Sequence, residues 1–194
     1  MHRFSHNQEG QTLVEVIIAV SILLAGIVTS LTLGIVTVRA GQVSQNRTIA
    51  DNLAREGLEL VRTMRDTNWL QDNVWDQGLC ASDDTTAIPD FLPDVNAWSL
   101  DFSVDDFADA NAQVLYREDR ENSLRPLDYY MQTAGPRPDG STPSRFRRLL
   151  TISSDDGSCV DADVSYTVKS EVQWDEGGTT HSSIVEERLF DWRT

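Results

Sequence analysis

From Val16 to Val38 the chain runs 23 residues without a charged side chain. As one helix rising 1.5 Å per residue, that stretch measures about 35 Å and can cross the hydrocarbon core of a bilayer. From Arg39 to Asp66 there is no proline, and the pattern changes: Ile49, Leu53, Leu60, Val61 and Met64, with Ala50, Ala54 and Gly57 between them, form an apolar stripe at helical spacing. Arg55 and Glu59, and Arg62 and Asp66, stand four apart on the outer face, the spacing of helical ion pairs. The pattern predicts one helix from about Thr12 to about Asp66. Its first half (residues 11–38) lies in a membrane, and its amphipathic second half (39–66) lies against a globular part.

The C-terminal third alternates with period two. Val164, Tyr166, Val168, Val172 and Trp174 interleave with Ser165, Thr167, Lys169, Glu171 and Gln173, which predicts a strand with one buried face, interrupted only at Ser170. Arg147 to Ser153 precedes it, and Ser183 to Trp192 follows across a turn at Gly177-Gly178. Residues 146–194 thus read as an antiparallel β-meander whose apolar face needs the helix stripe as its cover. Residues 67–145 read as an irregular acidic loop region, in which Trp98–Val104 and Ala112–Arg117 could be strands and the proline-rich run Pro126–Pro143 is loop. A structureless stretch of that length is unusual in a compact domain. The fold class expected is α+β, a long N-terminal helix packed on a C-terminal antiparallel sheet.

One carboxylate stands at the start of the apolar run. Gly10-Gln-Thr-Leu-Val-Glu15 leads into it, and Glu15 is the only charge from there to Val38. An ionised carboxylate within a membrane segment costs a few kcal/mol on insertion scales, so it calls for a partner or a role. A secretory signal peptide fits poorly: its apolar region spans about 7–15 residues between a basic end and a small-residue cleavage site. Here the run is longer, Arg3 alone supplies firm positive charge and Glu9 opposes it. No cysteine near the end of the run supports a lipoprotein.

These residues resemble the type IV pilins and type II secretion pseudopilins. The match is a short polar leader ending in Glu9-Gly10 (a class III prepilin leader, residues 1–10), then Gln11-Thr12-Leu13-Val14-Glu15, then Val16-Ile17-Ile18-Ala19-Val20. Asn52-Leu-Ala-Arg-Glu-Gly-Leu-Glu-Leu-Val-Arg62, with Asn68-Trp69, and more loosely Thr142–Arg148 and Leu189–Trp192, are similar to minor pilins of the pilus-modification type.

The resemblance implies a lollipop-shaped subunit. A prepilin peptidase would cut between Gly10 and Gln11 on the cytoplasmic side and methylate the new amine. Glu15 would set register in a filament by pairing with that amine on a neighbouring subunit. Its partners would be other pilin subunits, the peptidase, a membrane assembly platform with its ATPase, and the lipid bilayer. The subunit would sit single-pass in the cytoplasmic (inner) membrane, N-terminus inside and head outside, and become extracellular once assembled into a pilus or secretion pseudopilus. The alternative is a signal-anchored surface binding domain that never polymerises, with Glu15 at the headgroup boundary.

The formal charge of −15 repels phosphate backbones and makes nucleic acid a poor partner. With the N-terminus inside, Cys80 and Cys159 both face an oxidising compartment, and a disulfide between them is expected. Closing that loop is worth about 4 kcal/mol in the chain-entropy model; the alternative is two buried thiols. Once residues 1–10 leave, His181 is the one histidine, and its Gly-Gly-Thr-Thr-His-Ser setting reads as a solvated turn. Neither a nucleophile elbow, a phosphate-binding glycine loop nor a Cys/His metal spacing occurs, so no catalytic residue and no cofactor is expected. The acidic groups Asp83-Asp84, Asp105-Asp106 with Asp109, and Asp155-Asp156 with Asp161 and Asp163 carry oxygen ligands that can hold calcium. None has the spacing of a defined calcium loop, and solvated loop acids are the expectation. The basic run Arg145, Arg147 and Arg148 is expected to neutralise acids such as Asp155 and Asp156.

Overall fold

The computed structural model describes residues 9–81, 86–92, 97–119, 127–154 and 165–191. The chain divides into two compact units, Met1–Gln45 and Asn46–Thr194. One helix, α1 (Glu9–Leu70), supplies the described part of the first unit and enters the second. It starts and ends a few residues outside the predicted limits. At its end Asn73 N–H bonds Asn68 O at 2.9 Å and Asp72 N–H bonds Trp69 O at 3.2 Å, the paired closure that finishes a helix with a left-handed residue. Asp72 takes that conformation, at φ 55°. The extra turn brings Trp69 into the core, 7% exposed.

The second unit is built on seven antiparallel strands: β1 (Thr86–Leu92), β2 (Ala97–Asp101), β3 (Gln113–Asp119), β4 (Leu127–Met131), β5 (Ser141–Ser154), β6 (Ser165–Glu176) and β7 (Thr179–Phe190). The β5-β6-β7 meander forms as the alternation predicts, and Gly177 and Gly178, at φ 61° and 81°, make the two-residue turn between β6 and β7. The stretch 67–145, expected to be irregular, instead holds β1 to β4 and a short 3-10 turn at Ala110–Ala112. Within Pro126–Pro143, expected to be loop, β4 forms and β5 begins at Ser141. Trp98–Val104 is strand only to Asp101, and the other expected strand forms as β3.

The long strand β5 organises the sheet. Along one edge it pairs continuously with β6. The other edge is shared: β3 occupies Ser141 to Arg147, and β1 takes over at Leu150 and Thr151. Between the two, at Arg148 and Leu149, neither strand pairs with β5. Gln132, just after β4, closes the gap, its Nε2 donating to Arg148 O, Asn111 O and Ala112 O, each at 3.0 Å. Backbone carbonyls that a strand would have satisfied thus receive a side-chain amide.

Both faces of β5 are covered. Phe146, Leu150 and Ile152 face the helix stripe with Tyr166, Val168, Val172 and Trp174 of β6. Leu149, on the opposite face, packs with Ile88, Val104 and Ala112. Ala50, Leu53, Ala54, Leu58, Val61 and Met64 of α1 are all buried in this unit. The surface ion pairs differ from the helical spacing: Arg62 bonds Glu59 and reaches across to Glu187 of β7 (Nε to Oε1 2.8 Å), and Arg65 takes Asp66 at 3.0 Å. A carboxylate on the sheet wins Arg62 because the helix lies against β7.

Ser170, the break in the alternation of β6, occupies the buried phase and is fully buried. Gly57 of α1 lies over it. A Cβ at Gly57 would stand 2.5 Å from Ser170 Oγ and 2.9 Å from Leu150 Cδ2, so two small residues let helix and sheet meet there. Gly57→Ala should therefore cost about 1–3 kcal/mol by overpacking, even though alanine improves helix propensity by about 1 kcal/mol. Adding Ser170→Ala, which removes the nearest atom, should recover part of the loss. Urea unfolding of the full chain in detergent, followed by tryptophan fluorescence, measures both. A Gly57→Ala protein as stable as wild type would show that the approach is not limiting.

Candidate processing and assembly segment

Residues 12–45 are exposed along the whole helix. Leu13, Val16, Ile17, Val20, Leu24, Ile27, Leu31, Ile35 and Val38 all present half or more of their surface, or nearly so. A helix apolar on every side has no stable place in water; lipid or other apolar helices must surround it. α1 is long and apolar enough to cross a membrane.

Its few polar groups are arranged for such surroundings. Between Leu13 and Val38 there are five hydroxyl side chains, and each donates to the carbonyl one turn earlier: Ser21 to Ile17 O and Thr29 to Ala25 O at 2.7 Å, Ser30 to Gly26 O and Thr32 to Val28 O at 2.9 Å, Thr37 to Leu33 O at 2.8 Å. In hydrocarbon an unbonded hydroxyl costs several kcal/mol, and this back-bonding removes that cost. The remaining polar side chain in that span is Glu15, which is exposed.

Gly10 and Gln11 lie in the first turn of α1, and Glu15 lies one turn further. Four residues correspond to about 6 Å along the axis. Cutting the Gly10–Gln11 bond would leave a cationic amine about one turn from the only carboxylate in the apolar run. The backbone thus places Gly10, Gln11 and Glu15 together. Cys80 is half-buried beside the core of the second unit, and no free cysteine occurs among the described residues. Cys159 lies outside the described residues.

The weaker sequence candidates resolve into structural roles where they are described. His181 is not a turn residue: it lies in β7, opposite Trp174, and stacks on that indole at 5.5 Å. Asp106 Oδ1 accepts from Ala108 N–H and Asp109 N–H, and Asp109 caps the short turn through Asn111 N–H. Among the described residues no group of His, Cys, Asp or Glu is placed to hold a metal ion. The groups at Asp83-Asp84 and Asp155–Asp163 lie outside the described residues.

Arg148, expected to neutralise surface acids, is buried instead. Its Nε donates to Gln132 Oε1 at 3.0 Å, its Nη1 donates to Leu53 O at 3.1 Å and lies 3.5 Å from Glu56 Oε2. Burial lowers the guanidinium pKa and Glu56 opposes that shift. Arg147 bonds Phe107 O at 2.6 Å, and Arg145 is exposed. Alternation along β5 signals the burial of Arg148, because it falls in phase with Phe146 and Leu150.

Residues 5–31 match the family model described as the prokaryotic N-terminal methylation motif. No curated protein and no solved structure matches the chain. The matched span covers Gly10, Gln11, Glu15 and most of the apolar run. The N-terminus therefore carries the prepilin-type methylation motif that type IV pilins and pseudopilins bear, directly ahead of a helix long and apolar enough to cross a membrane.

Proposed function

We propose that this chain is a minor pilin or pseudopilin subunit. A prepilin peptidase cuts it between Gly10 and Gln11 and methylates the Gln11 amine. The mature helix then carries it into a type IV pilus or secretion pseudopilus. The methylation motif at residues 5–31 is the observation that carries this reading. The all-round exposure of the apolar helix, its satisfied hydroxyls and its single carboxylate support it.

In this reading the bilayer holds the subunit before assembly, with the N-terminus in the cytoplasm and the second unit outside. Neighbouring subunits replace lipid along the helix, and Glu15 pairs with the methylated amine of one of them. Assembly needs a platform protein and an ATPase. On the oxidising side Cys80 and Cys159 form a disulfide that joins the segment between α1 and β1 to the β5–β6 connection. The subunit does no chemistry of its own.

Mass spectrometry of the N-terminus, on protein from native membrane and sheared surface fractions, tests the proposal. A chain that begins at methylated Gln11 is expected in both fractions. An intact leader in cells with a working peptidase would overturn it, in favour of a signal-anchored binding domain that does not polymerise.

A further inference from the structure

The second unit holds a cleft of about 650 Å³ between the end of α1, the turn that follows it and β2. Its size falls within the roughly 300–1,000 Å³ of ligand sites. Its chemistry is unlike the rest of the chain. About a quarter of all residues are charged, yet among the described residues none of the fifteen that line the cleft is. In their place stand four side-chain amides, Asn68, Gln71, Asn73 and Gln77, facing the aromatic residues Trp98 and Phe102.

The amides are held in place by the way the helix ends. Asn68 Nδ2 donates to Trp75 O at 3.1 Å and to Gln77 O at 2.8 Å, tying the turn to the last helical turns. Asn73 Nδ2 donates to Gln71 Oε1 at 3.2 Å, which leaves the Gln71 amide with its two N–H donors. The Gln77 side chain makes no hydrogen bond among the described residues. On the opposite wall Trp98 is 36% exposed and rests on Phe91, ring centroids 5.1 Å apart. The indole of this edge strand thus keeps about a third of its surface in water, where a ligand can reach it.

An amide presents a donor and an acceptor in one plane, and a sugar hydroxyl is likewise both donor and acceptor. A sugar ring also carries an apolar C–H face that packs flat on an indole. Among the described lining residues no Lys or Arg stands to meet a carboxylate or phosphate, and the amides suit a neutral ligand rich in hydroxyls. We infer that this cleft binds a neutral saccharide, with Trp98 as the platform under the ring and Gln71, Asn73 and Gln77 bonding its hydroxyls. This inference concerns the second unit alone and does not depend on processing or polymerisation of the chain.

Saturation-transfer NMR and calorimetric titration test it on the full chain in lipid nanodiscs, since sugar-headed detergents would compete. The probes are cellobiose, maltose, lactose and chitobiose, with neutral Ser/Gly peptides as controls. At least one sugar should bind saturably. Trp98→Ala should abolish the binding, and Gln77→Ala, an exposed change that leaves folding intact by circular dichroism, should weaken it about five- to tenfold. Silence from all four sugars, equal binding by Trp98→Ala and wild type, or binding of the peptides in their place would overturn the assignment.

Discussion

Arg148→Ala is expected to destabilise the second unit by about 2–4 kcal/mol. Three losses add up. A fully buried long side chain leaves a cavity beneath α1. Gln132 Oε1 loses its donor in a buried site. Leu53 O loses the guanidinium that ties the helix backbone to β5. Glu56 adds little to the cost, because it is half exposed and can return to water. The cation's own desolvation works in the opposite direction, so Arg148→Met, which keeps the volume and removes the charge, should cost only about 1–2 kcal/mol. Gln132→Leu should be worse than Arg148→Met: it strands a buried cation and also withdraws the amide from Asn111 O, Ala112 O and Arg148 O. Coupling follows from the shared bond, and the double variant Arg148→Met/Gln132→Leu should be less unstable than the sum of the two by about 1–2 kcal/mol. Urea unfolding of the full chain in detergent yields all four values. Additive losses would mean that the two side chains are independent fillers and not one plug.

That plug explains why the sequence was readable at its ends and opaque in its middle. The helix and the β5-β6-β7 meander are built from local periodicity, and each apolar position tells its neighbours where the core lies. Even the exception, Ser170, was visible as an interruption; its cause was not, because Gly57 stands more than a hundred residues away. In the middle the signals oppose the outcome. Pro89 lies inside β1, tolerated because β1 pairs with β5 only through Thr86 and Ala87 and runs free of it beyond. Pro143 lies inside β5, and the breakers around β4 mask a five-residue strand. Arg148 sits in a run of basic residues whose ordinary place is solvent, and it points inward because it shares the buried phase of Phe146 and Leu150 and finds acceptors there in Gln132 Oε1 and Leu53 O. The N-terminal methylation motif and the apolar helix behind it were legible, since both are written in consecutive residues. The amide cleft was not: Asn68 to Gln77 and Trp98 to Phe102 are brought together by the end of the helix and the β1–β2 hairpin, and no spacing encodes that.

Replacing Glu15 should produce the largest functional effect. Glu15→Ala and Glu15→Gln leave the charge-free run Val16–Val38 untouched, so both proteins should reach the membrane in wild-type amount, and losing a carboxylate makes insertion easier if anything. The bond proposed to be cut, Gly10–Gln11, is four residues away, and both variants should still be cut there. What they lack is the counter-charge for the amine that cutting creates. An amine left without a partner among packed helices costs about 3–5 kcal/mol, more than a hundredfold in association. The variants should therefore accumulate as mature, membrane-held monomers and nearly vanish from the sheared surface fraction. Glu15→Asp keeps the charge on a side chain one methylene shorter and should fall between. N-terminal mass spectrometry of the membrane pool separates this outcome from failed processing. Wild-type amounts of both Glu15→Ala and Glu15→Gln in the sheared fraction would show that the carboxylate does not set the register and that packing of the apolar helices suffices for assembly.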